Sequence, residues 1–210
     1  MNIPYISPET ELKEVMARLN GQDRTKIKTV NWKEFSYVPK VEFAACWSET
    51  GLFINYWVDE DVTAALTLKD NGPVYKDSCV EFFVSPGGND YYYNFEFNCI
   101  GSLLLAYGNS RHNRKPAREE ILKGVARFSS LEKKTFTETH LEPWDLLVII
   151  PPTAFFMNSG FRFREMTMKA NFYKCGDGLS KPHYLSWKPI NSDKPDFHRP
   201  EFFSDITLHK

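Results

Sequence analysis

The sequence predicts an all-β chain: an antiparallel β-sandwich, jelly-roll or immunoglobulin-like, with a short N-terminal helix. Three observations carry this. From residue 26 onward, apolar and polar residues alternate with a period of two in many short runs. Clusters of Gly, Pro, Asn and Asp separate the runs at the spacing of a meander. Aromatic residues make up 15% of the chain (17 Phe, 10 Tyr, 5 Trp), as pleated, half-buried surfaces favour. At 210 residues, with no internal repeat or linker, one domain over 1–210 is expected, residues 1–25 being a helical extension.

The extension reads as a helix from its first turn. Ser7 is placed to cap, Pro8 suits the first helical position, and Glu9 and Glu11 favour the positive end. Leu12, Val15, Met16 and Leu19 then form one apolar stripe, which should lie against the outside of the main body, and Asn20-Gly21 stops it. Strands follow at 41–47 and 52–58 around the turn Glu49-Thr50-Gly51. Further strands read at 79–85 and 91–98 around Pro86–Asp90, and at 101–108. Residues 109–124 interrupt the pattern with a basic loop and a short helix over 116–123. Strands resume at 125–129, 134–141, 145–150 and 161–173, and "FFSDITL" supplies the last.

With 26 basic and 27 acidic residues the net charge is −1, so no broad field draws nucleic acid or an anionic membrane surface. No apolar run is long enough to span a bilayer. The first residues lack the order of a signal peptide. The chain is then cytoplasmic if Met1 is the native start, and periplasmic or extracellular if a leader was trimmed. Oligomeric state leaves no signature. Cys46, Cys79, Cys99 and Cys175 form no C-x-x-C pair and read as buried thiols, with a Cys79–Cys99 disulfide left open.

Candidate binding residues come from strand parity. Tyr92, Asn94, Glu96 and Asn98 share one face of their strand, opposite an apolar face of Tyr91, Tyr93, Phe95 and Phe97. Glu81 shares its face with Cys79 and Phe83 in a strongly apolar strand, so it needs a partner or a pocket. In "NFYKCGDGLSKPHYLSW" (171–187) the pair of glycines reads as a turn between two strands. Cys175, Asp177, His183 and His198 offer metal-type atoms but match no familiar zinc spacing. At most one of Tyr184 and Trp187 faces a site. His198 and Arg199 sit on a stiff loop between Pro195 and Pro200.

The runs "VYKDSCVEFFVSP", "YYNFEFNCIGSLLLAYG", "ANFYKCGD", "PHYLSW" and "PDFHRPEFFSDITL" resemble, in order and spacing, the family 9-like carbohydrate-binding modules. The likeness runs from about Trp32 to Leu208 and is strongest to the Bacteroides-type subgroup. It implies a β-sandwich with a shallow sugar site at one end of a sheet, and calcium as a cofactor. In xylanase-attached members, two tryptophans clamp a terminal sugar while Glu, Arg, Asn and Gln side chains bind its hydroxyls. By motif the glutamate falls on Glu81, asparagines on Asn98 and Asn171, the arginine on Glu96 and the glutamine near Lys169. The clamp tryptophans fall at Val74 or Tyr75 and near Phe197, so this chain lacks both.

The expected function is non-catalytic binding of an oligosaccharide or polysaccharide, a plant-type glycan such as xylan or another complex one. The candidate site comprises Tyr75, Glu81, Glu96, Asn98, Lys169, Asn171, Trp187 and Phe197, with Arg111 and Arg114 as loop donors. The alternative is a glycoside hydrolase using Glu81 and Glu96 as paired carboxylates. A haem-binding sandwich with Met166, Met168 or a histidine as axial ligand is a third reading.

Overall fold

A computed structural model describes residues 1–210. The N-terminal half holds β1 (Asn2–Pro4), α1 (Leu12–Asn20), β2 (Thr25–Lys26), β3 (Thr29–Val30), β4 (Lys40–Ser48), β5 (Gly51–Asp59) and β6 (Thr63–Ala65). Next come β7 (Cys79–Ser85), β8 (Tyr92–Asn98), β9 (Leu103–Gly108), β10 (Arg114–Pro116) and α2 (Glu119–Gly124). The chain finishes with β11 (Ala126–Ser129), β12 (Phe136–Thr139), β13 (Trp144–Ile150), β14 (Met166–Cys175), β15 (Tyr184–Ser186) and β16 (Ser204–His209). No helix is long and apolar enough to cross a membrane.

Two sheets make an antiparallel β-sandwich. The larger runs β1-β16-β14-β7-β8-β9-β10, with β15 and β3 added beside β14; the smaller runs β11-β13-β5-β4-β2. Alternation along each strand puts one apolar set between the sheets. From the larger sheet these are Val80, Phe82 and Val84 of β7, Tyr93, Phe95 and Phe97 of β8, and Ala170 and Phe172 of β14. They meet Val41, Phe43, Ala45 and Trp47 of β4 and Leu52, Ile54, Tyr56 and Val58 of β5. Phe43 and Phe172 stack across the interface with ring centroids 3.9 Å apart.

Each sheet is also covered on its outer side. Val15 and Leu19 of α1, with Ile6, pack on Ala44, Cys46, Phe53 and Leu147 of the smaller sheet. Loops supply Trp32, Val74, Ile190, Phe197 and Phe203 over Cys79, Phe83, Tyr92, Tyr173 and Cys175 of the larger one. That loop layer positions the site, because it turns a sheet face into the floor of a cleft.

Several local expectations need correction. The helix starts at Leu12, not near Ser7: Glu11 occupies the cap position without a side-chain bond, and 7–10 is a separate turn closed by Thr10 N–H to the Ser7 carbonyl. Residues 1–25 are not only a helical extension, since β1 pairs parallel with β16. Tyr91 lies outside β8, exposed, stacking on Tyr107 instead of entering the core. The strand expected over 161–173 begins at Met166 and runs to Cys175, leaving Arg162 and Arg164 in a loop. All four cysteines are free, and Cys79 and Cys99 belong to clusters on opposite faces of the sheet, so no disulfide joins them.

One inward position breaks the apolar pattern. Lys174 has the parity of Ala170 and Phe172 and is wholly buried. Its Nζ lies 2.8 Å from Glu60 Oε2 and donates to His183 Nε2 at 2.8 Å and to the Cys175 carbonyl at 3.0 Å. Trp144 Nε1 donates to the other Glu60 oxygen at 2.9 Å. His183 donates from Nδ1 to the Lys181 carbonyl at 2.9 Å, which leaves Nε2 as acceptor. Burial and the neighbouring ammonium push this imidazole down to about 2, so it stays neutral.

Candidate functional site

Strand register builds the cleft floor. Across β14, β7 and β8, three rows form: Cys175–Cys79–Asn98, Tyr173–Glu81–Glu96 and Asn171–Phe83–Asn94. Residues directly opposite one another in antiparallel strands project to the same side. Glu81 and Glu96 therefore stand side by side on the outer face, and both are 3% exposed. They line a cleft of about 420 Å³ with Cys175, near the small end of the ~300–1,000 Å³ typical of ligand pockets. Its walls are loops and the first residues of β10 and β15: Tyr75 on one side, Arg111, His112 and Arg114 on a second, and Asp177, Tyr184 and Pro195–His198 on the rest.

Polar groups around and behind the floor are incompletely paired. Glu96 Oε1 accepts from Asn94 Nδ2 at 2.9 Å and lies 3.6 Å from Arg114 Nη1. Asn94 Oδ1 and Arg114 Nη1 are buried and have no hydrogen-bond partner, an expensive arrangement unless something else satisfies them. Glu81 Oε1 accepts from the Cys175 thiol at 3.1 Å and sits 3.9 Å from Cys79 Sγ. Burial, then the neighbouring Glu96, hold the Glu81 carboxyl well above the usual carboxylate range. Glu96 is pushed up to about 7 by burial, with Arg114 pulling it back. Asp177 is raised to about 6 by burial, opposed by Arg111.

The walls are aromatic and stiff. Phe197 stacks on Tyr173 at 4.2 Å with planes 9° apart, and Tyr173 donates its hydroxyl to the Phe197 carbonyl. His198 shares a hydrogen bond of 2.9 Å with the Tyr92 hydroxyl. Burial and the nearby arginines push its ring down to about 2, so it is a neutral donor–acceptor. Tyr75 is the exposed ring at the rim, 36% accessible.

Of the ten candidates from the sequence, Tyr75, Glu81, Glu96, Arg111, Arg114 and Phe197 line this cleft. The other four lie elsewhere, each for a physical reason. Asn98 is tied inward, donating to the Thr67 carbonyl at 2.7 Å and Asp77 Oδ2 at 2.9 Å and accepting from Ser102 N–H. Asn171 is buried and pins the adjoining loop through Lys188 N–H and carbonyl. Lys169 is opposite Ser85 at the far end of β14 and pairs with Asp205 at 2.9 Å. Trp187 packs on Phe43 and Phe172 against the main core; Tyr184 is the one of that pair in the cleft.

Of the metal-type side chains, Cys175, Asp177 and His198 reach the cleft while His183 serves Lys174. Met168 lies in the main core with Met166 packed against it, so neither offers an axial ligand to the cleft. Parity missed Tyr184, Asp177 and Asp196 because they sit at strand ends or in loops. For Asn98→Ala we expect a loss of about 1–3 kcal/mol in urea unfolding, because three polar partners are left unsatisfied. Ligand affinity measured on the folded variant should stay within a few-fold.

A sandwich with an aromatic-walled, polar-floored cleft on one sheet defines the class: a β-sandwich that accommodates a small polyhydroxylated or otherwise polar ligand. The family comparison is narrower. The chain belongs to carbohydrate-binding family 9, whose model matches residues 11–208. It is similar in structure to a candidate carbohydrate-binding protein from Bacteroides uniformis ATCC 8492, with a TM-score of 0.94, 41% identity, and 100% of this chain and 98% of that chain covered. It is also similar in fold to a family 9 carbohydrate-binding module from Caldicellulosiruptor kristjanssonii, solved with glucose and with cellotriose. The glucose complex gives a TM-score of 0.57 at 13% identity, covering 100% of this chain and 95% of that one. The cellotriose complex gives 0.59 at 12%, covering 99% and 93%. No curated protein matches the chain.

Proposed function

We propose that this chain binds an oligosaccharide or polysaccharide non-covalently, seating a terminal sugar unit in the cleft over Glu81 and Glu96. The observation that carries this is Arg114 on the cleft wall, whose Nη1 is buried and has no hydrogen-bond partner. Hydroxyls arranged around a sugar ring both donate and accept, so one ring can meet the Arg114 guanidinium and the floor carboxyls together. Tyr75 and Phe197 offer faces for the C–H side of the ring. Family membership supports the same ligand class.

Hydrolysis is not favoured. A glycosidase places its two carboxyls on either side of the scissile bond, whereas Glu81 and Glu96 stand next to each other on one floor. Both are also engaged, one by thiols and the other by Asn94 and Arg114.

A single small cleft should bind with a dissociation constant in the micromolar to millimolar range, ~4–8 kcal/mol. The test is calorimetric titration with xylo-, cello- and manno-oligosaccharides, with and without calcium, followed by product analysis of the same samples. Saturable heat without cleavage is expected, and Tyr75→Ala should weaken it about 5- to 10-fold, the ~1 kcal/mol worth of an aromatic contact. Sugar fragments among the products would establish an enzyme instead. Silence across the panel would remove the sugar reading.

A further inference from the structure

Cys79 and Cys175 are register partners on β7 and β14, and Glu81 lies two residues beyond Cys79 on the same face. Strand geometry therefore brings two sulfurs and a carboxylate together. Their ligating atoms all fall within 4.8 Å of one another, with Cys175 Sγ 3.1 Å and Cys79 Sγ 3.9 Å from Glu81 Oε1. We propose that Cys79, Cys175 and Glu81 form a site for a thiophilic divalent cation of the zinc class, set in the floor of the cleft.

The spacing fits. With Zn–S about 2.3 Å and Zn–O about 2.0 Å, tetrahedral geometry puts a sulfur and an oxygen ligand about 3.5 Å apart. The two sulfur–oxygen separations bracket that value. The donor set is selective as well. Calcium takes about six to eight oxygen ligands, so two sulfurs and one carboxyl do not suit the calcium that the resemblance implies. Thiolates select zinc and other soft or borderline metals.

Geometry leaves one coordination position open. Cys79 closes the rear of the cluster, while Cys175 and Glu81 line the cleft, so a fourth ligand enters from the cleft side. Three protein ligands with one exchangeable position is how zinc is held where it meets a ligand. Binding displaces both thiol protons and the Glu81 proton to solvent. The resulting cluster carries one net negative charge beside Arg114 and Arg111, which share the cleft. The inference does not depend on the sugar reading.

The test uses the whole chain, reduced and stripped with a chelator, then titrated with Co²⁺ and with Zn²⁺. One equivalent of Co²⁺ should give sulfur-to-cobalt charge-transfer absorption with the intense visible bands of a tetrahedral ion, and Zn²⁺ should displace it. Cys79→Ser and Cys175→Ser should each weaken binding by more than about 100-fold, beyond the 10–100-fold cost of disturbing an outer-shell partner. Because either variant can fail to fold, cadmium NMR on the unaltered protein supplies an independent reading. A resonance in the range of a two-sulfur site supports the proposal. Absence of stoichiometric binding, or a metal bound without a sulfur signature, overturns it. Glycan titration of stripped and zinc-loaded protein then reports separately whether the sugar reading stands.

Discussion

Lys174→Ala should be the most damaging single substitution in this chain, costing about 3–5 kcal/mol in urea unfolding, because it strands Glu60 as an unpaired buried carboxylate. Lys174 and Glu60 both have side chains of 0% exposure, 2.8 Å apart, so bulk water does not solvate the carboxylate in place of the ammonium. His183 would also lose the donor to its Nε2. At about 2–4 °C per kcal/mol for a chain of this size, the melting temperature should fall on the order of 10 °C. Glu60→Gln combined with Lys174→Met should recover much of the loss, since the amide still accepts from Trp144 and no charge remains buried. If Lys174→Ala costs under about 1 kcal/mol, the buried Lys174–Glu60–His183 group does not hold the fold together.

Arg114→Ala should have the largest effect on ligand binding. Arg114 lies on β10 at the edge of the sheet and brings the guanidinium that faces Glu96, with Nη1 unpartnered until a ligand arrives. Removing such a central charged donor typically costs at least about 2 kcal/mol, about 30-fold in affinity, which would take a weak glycan titration out of range. Stability should change by less than about 1 kcal/mol, because Glu96, already raised to about 7, can take up a proton when its counter-charge leaves. Arg114→Lys should restore only part of the affinity, since an ammonium lacks the planar fork that meets two hydroxyls at once. An unchanged binding isotherm in folded Arg114→Ala would move the ligand out of this cleft.

The sandwich was legible because period two is a direct trace of strand geometry. "LFINYWV" and "CVEFFVS" became β5 and β7, with alternate residues turned into the main core. Glu81 was legible for the same reason: a carboxylate among apolar neighbours demands an explanation, and the cleft supplies one. Asn98 and Asn171 looked equivalent to it because a polar side chain that pins a loop has the same parity as one that meets a ligand. Only their bonds to Asp77, Ser102 and Lys188 separate the cases. The loop layer was not legible. Trp32 and Ile190 come from segments without periodicity, and their covering of the larger sheet is a long-range fact. For the same reason both faces of β8 are buried, although parity alone showed only a polar face turned away from the core.

The place of β16 in the larger sheet also sets a timetable. β16 sits between β1 and β14, with Asn2 paired to Thr207. Of these strands, the first to be made therefore pairs only with the last. At synthesis rates of about 5–20 residues per second, that wait is about 10–40 s. Through all of it β1 lacks its ladder partner, and β14, once made, keeps an open edge until β16 follows, the kind of surface that recruits other chains. Assembly of this edge of the sheet is thus an event that follows translation of residues 204–209.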